Sequence, residues 1–287
     1  MPLNGGRPCV RTNHDLICLN RVDLLEHCMD FPVADVAIPA HLESPAELVE
    51  LKAMRGIDPD KNDDEEGAGA GGLRYKAIRQ EALRVGAQTG LAHRYGMVMK
   101  YLDGVESKIN VIFSFSGFVK DGRLLVPSIV EVPNQLSADP ETGDVRVIRN
   151  AYTIEEEARI VSVVPTWRDY LWQEFSYPEE PHPSLLPRTK GEIKAWEQAV
   201  YEGWKAGVTQ ADTIYSDRLA QLTMAVEGRN LYTTLESKKM VSPAALQVVS
   251  NRVTFNGRTM NVGEVIYTIK EPGNYTPADG WRPVWTR

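Results

Sequence analysis

K-A-W-E-Q-A-V-Y-E-G-W-K-A-G, residues 194–207, is the stretch from which the fold is read. Ala199, Gly203 and Gly207 stand four residues apart, so on a helix they share one face. The same spacing recurs upstream in A-L-R-V-G-A-Q-T-G (82–90), through Ala82, Gly86 and Gly90. Each glycine inside a helix costs about 1 kcal/mol relative to alanine. Four cost roughly 4 kcal/mol, against about 5–15 kcal/mol of typical domain stability. Close backbone approach with added dispersion contacts offsets such a loss. The face therefore packs, either inside this subunit or against another.

The helix that carries the second pattern has a clear beginning. Thr189-Lys190-Gly191-Glu192 is a capping box, and helical periodicity runs on to about Lys239, with Gly228 as a point of interruption. The helix with the first pattern spans Leu73 to about Asp103, and Gly104 stops it. Between the two lie P-T-W-R-D-Y-L-W-Q-E-F (165–175) and P-H-P-S-L-L-P (181–187). Thr166 can cap a short helix reaching about Phe175. Four of the six tryptophans, Trp167, Trp172, Trp196 and Trp204, fall between Pro165 and Gly207. Trp and Tyr bury large areas with few rotatable bonds, so they anchor cores and interfaces.

Strand signals fill the remainder. Ile109, Val111, Phe113 and Phe115 alternate with Asn110, Ile112, Ser114 and Ser116, which predicts a strand. Asp121-Gly122 marks a hairpin turn, and Val145–Tyr152 and Ile160–Val164 read as further strands. Thr153-Ile154-Glu155-Glu156 also matches a capping box, leaving a helical turn open there. Val248–Phe255, Asn256-Gly257 and Arg258–Lys270 form the clearest hairpin. Val249, Val253 and Phe255 are expected to line one face opposite Val265, Tyr267 and Ile269. The expected fold is a single α+β domain, an antiparallel sheet packed against two long helices. Its boundaries are residues 72–271, after an N-terminal extension (1–71) and before a Pro- and Trp-rich tail (272–287). Within the extension, Ser44-Pro45-Ala46-Glu47 opens a helix to about Arg55, which Gly56 ends. The acidic run from Asp58 to Glu66 and G-A-G-A-G-G (67–72) then read as a flexible linker rather than a calcium loop.

Composition narrows the function. The formal charge of −7, without a Lys/Arg cluster, argues against a nucleic-acid surface. No run of about 18 apolar residues is present to span a bilayer. The first thirty residues show no signal-peptide pattern, so the residues alone read as cytosolic. Cys9, Cys18 and Cys28 are spaced unlike a zinc site, and an odd count leaves one thiol unpaired. His14, His27, His41, His93 and His182 form no ligand or nucleophile motif. Paired carboxylates among Asp169, Glu174, Glu179, Glu180 and Glu197, with Trp167 or Trp172 as a sugar platform, would suit a glycan-cleaving or glycan-binding protein. No spacing fixes such a pair, and the preferred expectation is a non-enzymatic chain without cofactor, metal or catalytic residues. Its candidate packing and interface residues are Trp167, Tyr170, Trp172, Trp196, Trp204, Gly86, Gly90, Gly203 and Gly207.

Several of these stretches resemble one family. G-L-R-Y-K-A-I-R-Q-E-A-L-R-V-G-A-Q-T-G-L-A (72–92), P-T-W-R-D-Y-L-W (165–172), P-E-E-P-H-P-S-L-L-P (178–187), W-E-Q-A-V-Y-E-G-W-K-A-G (196–207) and M-V-S-P (240–243) are similar to the DotC family. Those proteins are outer-membrane lipoproteins of type IVB (Dot/Icm) secretion systems, with a TraI lipoprotein counterpart in I-type conjugative plasmids. The resemblance implies a periplasmic, outer-membrane-associated structural protein of a core complex, with copies arranged in a ring. It implies a DotD-like lipoprotein and a DotH-like outer-membrane protein as partners, and no catalytic residues. The family pattern includes a lipidated cysteine after a signal peptide. Neither is visible in these 287 residues, so the membrane expectation rests on the resemblance alone.

Overall fold

The computed structural model describes residues 9–11, 16–18, 45–56, 72–138 and 145–281. The chain divides into two compact units, one from residues 1–106 and 172–217 and one from 107–171 and 218–287. The span expected as one domain thus contributes to both units. The linker read at 58–72 lies outside the described residues apart from Gly72, as do Cys28, His14, His27, His41 and Trp285. Of the N-terminal residues, β1 (Cys9–Arg11) and β2 (Leu16–Cys18) form a short antiparallel pair.

The first unit is built on helices. It contains α1 (Ala46–Ala53), α2 (Leu73–Gly104) and the N-terminal part of α5 (Lys190–Ser237). The Thr189–Glu192 capping box closes as the sequence requires. The Glu192 amide donates to Thr189 Oγ1 at 3.2 Å, and Glu192 Oε2 accepts from the amides of Thr189 and Arg188. Contacts climb α2 and α5 in the same direction, so the helices run parallel: Arg74 pairs with Glu192, Gly90 lies on Trp204, and Arg94 pairs with Asp212. Their shared core holds Ile78, Ala82, Val85, Trp196, Ala199, Val200 and Trp204, with Leu48 and Leu51 of α1. The Trp196 indole N–H donates to the Leu51 carbonyl at 2.8 Å, which ties α1 to this core.

The second unit gathers the remaining strands beneath the C-terminal part of α5. A three-stranded sheet has the order β3 (Val119–Lys120), β4 (Leu124–Leu125), β7 (Arg159–Ile160). Two further antiparallel pairs are long hairpins: β5 (Ser128–Ala138) with β6 (Val145–Glu156), and β8 (Ala245–Asn256) with β9 (Thr259–Glu271). Leu124, Val126, Ile129, Tyr232, Leu235 and Val241 form its core. α5 passes Gly228 without interruption. A Cβ there would overlap Ser128 and sit 3.0 Å from the Ile129 carbonyl, so the glycine admits the β5 backbone against the helix. Two short helices complete the unit, α3 (Glu106–Ile112) and α4 (Arg168–Leu171).

The α+β class stands, while several local expectations are corrected, among them the short helix expected to reach about Phe175, which ends at Leu171. The strand expected over Ile109–Phe115 is largely helix α3. Ile109 and Phe113 are spaced four apart as well as alternating, and both are buried while Val111 is exposed, so tertiary contact selects the helical reading. Thr153–Glu156 continues β6 instead of starting a helical turn, and the strand expected at Ile160–Val164 is ordered as strand only through Ile160. In the β8–β9 register, Val249, Val253 and Phe255 oppose Ile266, Val262 and Met260. Val265, Tyr267 and Ile269 therefore lie on the other face, since a one-residue slip exchanges faces.

Candidate functional site

Folding separates the candidate residues by accessibility. Gly86, Gly90, Gly203 and Gly207 line the contact between α2 and α5. A Cβ on any of them would stand less than 3.0 Å from a backbone carbonyl oxygen of the facing helix: Val200 for Gly86, Trp204 for Gly90, Leu83 for Gly203 and Ala87 for Gly207. In this structure the small-residue faces are covered by each other. Trp196 and Trp204 fill the adjacent core, and the Trp204 ring lies 5.2 Å from that of His93.

Trp167 is buried in the second unit. Its indole N–H donates to Asn110 Oδ1 at 2.8 Å, and the Arg168 guanidinium lies 4.5 Å from its ring centre. Asp169 turns its carboxylate back to accept from the Thr166 amide at 2.6 Å, stabilising the start of α4. Tyr170 is half-buried and stacks on Phe115 with ring planes 5° apart. Burial raises the pKa of its phenol, and the negative charge of Glu156 adds to the effect. Glu156 in turn accepts from the fully buried Arg229 at 2.5 Å.

Trp172 reaches the surface at 36% exposure. It lines an open cleft of about 400 Å³ in the first unit with His93, Lys100, Glu174, Phe175 and Tyr177. Glu197 is not in that cleft; it pairs with Arg55 at 2.7 Å on the helix surface. Among the described residues no group of three His, Cys, Asp or Glu side chains is placed to hold a metal ion, and no helix is long and apolar enough to cross a membrane.

An exposed apolar surface among the described residues was missed by sequence reasoning. Phe255 is 76% exposed and Val262 71%, and Val253, Met260, Val249 and Ile266 are exposed on the same face of β8–β9. The opposite face of the outer half carries Thr254, Asn256, Thr259 and Asn261, so this half is amphipathic. Nearer its base, Leu246 and Ile269 pack on the unit's core. The apolar side thus changes face along the hairpin.

The base of the hairpin is firmly held. The Tyr232 hydroxyl on α5 accepts from the Ala244 amide at 2.7 Å and donates to the Ser242 carbonyl at 3.1 Å. Burial pushes its phenol up to about 12. Gly273 has a φ of 93°, and a side chain there would meet the Tyr232 ring. Ser242 also donates to Glu271 at the end of β9, and this hydrogen bond holds that carboxyl below its usual pKa.

The described residues thus combine buried cores in each unit with exposed apolar and aromatic side chains. A family model described as type IV secretory system, conjugal DNA-protein transfer, matches residues 72–283. The chain belongs to this family, a component of type IV secretion and conjugation. None of the curated proteins compared with it matches.

Proposed function

We propose that this chain is a structural, non-enzymatic subunit of the core complex through which a type IVB secretion or conjugation system crosses the bacterial envelope. The family match over 72–283 carries the reading. The chain acts in the periplasm at the outer membrane, beside a DotD-like lipoprotein and a DotH-like outer-membrane protein, with several copies arranged in a ring. The exposed segment from Trp172 to Tyr177 and Trp281 supply aromatic anchors for these neighbours. Standard interfaces bury about 800 Å² per partner, so several elements contribute to each contact. A nucleic-acid partner is not expected on a chain of net charge −7.

The test is affinity purification of the tagged full chain from detergent-solubilised envelopes of cells carrying the transfer system. Co-purification of the lipoprotein and outer-membrane partners supports the proposal, and recovery of the chain alone from the soluble fraction contradicts it.

Glycan binding is the second reading, and one observation favours it: Trp172 and Tyr177 share their cleft with Glu174. The first platform considered, Trp167, is buried and hydrogen-bonded, which removes it from that role. Sedimentation of the purified chain with peptidoglycan sacculi, lost on Trp172→Ala, would favour this reading.

A further inference from the structure

We infer that a slot in the first unit, bordered by α1, α2 and residues 177–181, takes an arginine or lysine from a basic segment of a partner protein. The inference rests on the reading that this chain docks against other proteins, and it names the chemistry of one such contact. The slot holds about 160 Å³ and is floored by Leu51, Met54 and Val85. Small-molecule sites run from about 300 Å³ upward, so this one admits a single side chain rather than a whole metabolite. Leu51 and Val85 are buried, whereas Glu50, Glu179 and Glu180, which also line the slot, are exposed. Apolar groups therefore sit at the bottom and carboxylates at the mouth. Lysine and arginine match that layout, with a methylene stem that buries and a cationic head that stays outside.

Charge points the same way. None of the described residues lining the slot is basic, while Glu47, Glu50, Glu179 and Glu180 set carboxylates around it. The neighbouring bases are already engaged: His93 lies 3.5 Å from Glu47, and Arg84 is held by Glu81 at 2.6 Å. Glu50 and Glu180 have no ion pair among the described residues. A cation entering the slot supplies the missing partner, and a neutral or acidic glycan does not. Tyr177, 54% exposed, adds a ring on which a guanidinium stacks. Burial raises the pKa of its phenol and the negative charge of Glu47 adds to the rise, so the field of the carboxylates reaches the ring. Glu47 and Tyr177 also line the Trp172 cleft. A polypeptide anchored by its basic residue thus continues onto the Trp172 ring, where a free small cation would make no further contact.

The experiment applies the purified full chain to an array of short overlapping peptides that tile the other proteins of the transfer system, then titrates the strongest binder by fluorescence anisotropy. The bound peptides are expected to share an arginine or lysine beside an apolar residue, and to bind more weakly as salt is raised. Replacing that basic residue with alanine in the peptide should weaken binding about tenfold, as should the double variant Glu50→Lys, Glu180→Lys. Both glutamates are exposed, so the variant's circular dichroism spectrum should be unchanged. Glu155→Lys, Glu157→Lys makes the same change of charge at exposed positions of the second unit and should bind like the wild type. An array with no bound peptide, or with bound peptides lacking a basic residue, overturns the proposal. Equal weakening in the Glu155→Lys, Glu157→Lys control overturns it too, as does sedimentation with peptidoglycan sacculi that Glu50→Lys, Glu180→Lys abolishes. Any of these results, with transfer still dependent on the chain, would strike the basic partner and leave the transfer role standing.

Discussion

Replacing Gly207 with alanine adds a single methyl group where α2 and α5 touch. That Cβ would overlap the Ala87 carbonyl oxygen and sit 2.8 Å from the Leu91 nitrogen and 2.9 Å from the Ala87 carbon. All three atoms are backbone, so no side chain can swing aside. An unstrained carbon-to-oxygen contact is about 3.3 Å or more, so the helices must part by a large fraction of an ångström. Overpacking of this kind costs about 1–3 kcal/mol, and the widened gap forfeits dispersion contacts along the seam. The alanine returns about 1 kcal/mol of helix propensity. A collision with backbone alone puts the cost toward the upper end of that range, so the net loss is about 1–2 kcal/mol, or a Tm lower by roughly 2–4 °C for a chain of this size. Gly96 is the control on the same seam-forming helix. It is exposed, and nothing lies within 4 Å of a Cβ added there. Gly96→Ala should gain propensity without collision and raise stability by up to about 1 kcal/mol. Thermal unfolding followed by circular dichroism compares the two. Equal shifts, or a rise in Tm for Gly207→Ala, would refute the claim that the glycines exist to let the backbones meet.

Three other outcomes follow from named contacts. The Tyr232 phenol, pushed up to about 12, keeps its proton in the folded chain after the unfolded chain has begun to lose its own. Its contribution is therefore complete below pH 10 and declines through pH 12, by up to roughly 2–3 kcal/mol in urea unfolding. Tyr232→Phe should abolish that alkaline decline while lowering stability at neutral pH by about 1–3 kcal/mol, since the Ala244 amide loses its acceptor. Glu156→Ala leaves the Arg229 guanidinium buried beside the Phe115 ring and should cost about 3 kcal/mol; adding Arg229→Met should recover much of that loss in the same assay. Glu192→Ala removes the acceptor for two amides and a partner of Arg74, and should lower stability by about 1–2 kcal/mol, with fraying at the start of α5 visible in hydrogen exchange.

What the sequence disclosed was local and periodic. Thr189 and Glu192 announce a helix start because capping is decided within four residues, and the Ala-Gly-Gly rows announce a close contact because only backbone approach offsets their cost. Ile109 to Phe115 misled because apolar spacings of two and four coincide there; burial of Phe113 decides, and that is a tertiary fact. The β8–β9 faces were exchanged because register is set by which residues close the turn. Asn256 pairs with Thr259, which places Val249 against Ile266. The tryptophans gave the least positional information. Trp167 is enclosed by an asparagine 57 residues away, while Trp172, five positions later, reaches solvent, and nothing in their neighbourhood distinguishes them. The exposed hairpin was hidden for a related reason: an amphipathic strand pair looks identical whether its cover comes from its own chain or another.

Membership of the transfer apparatus is tested most directly by mating. Conjugal transfer frequency is measured from cells carrying the system with the gene for this chain deleted, and again with the full chain restored from a plasmid. Transfer is expected to fall to background on deletion and to return on complementation. Undiminished transfer without the chain would contradict it.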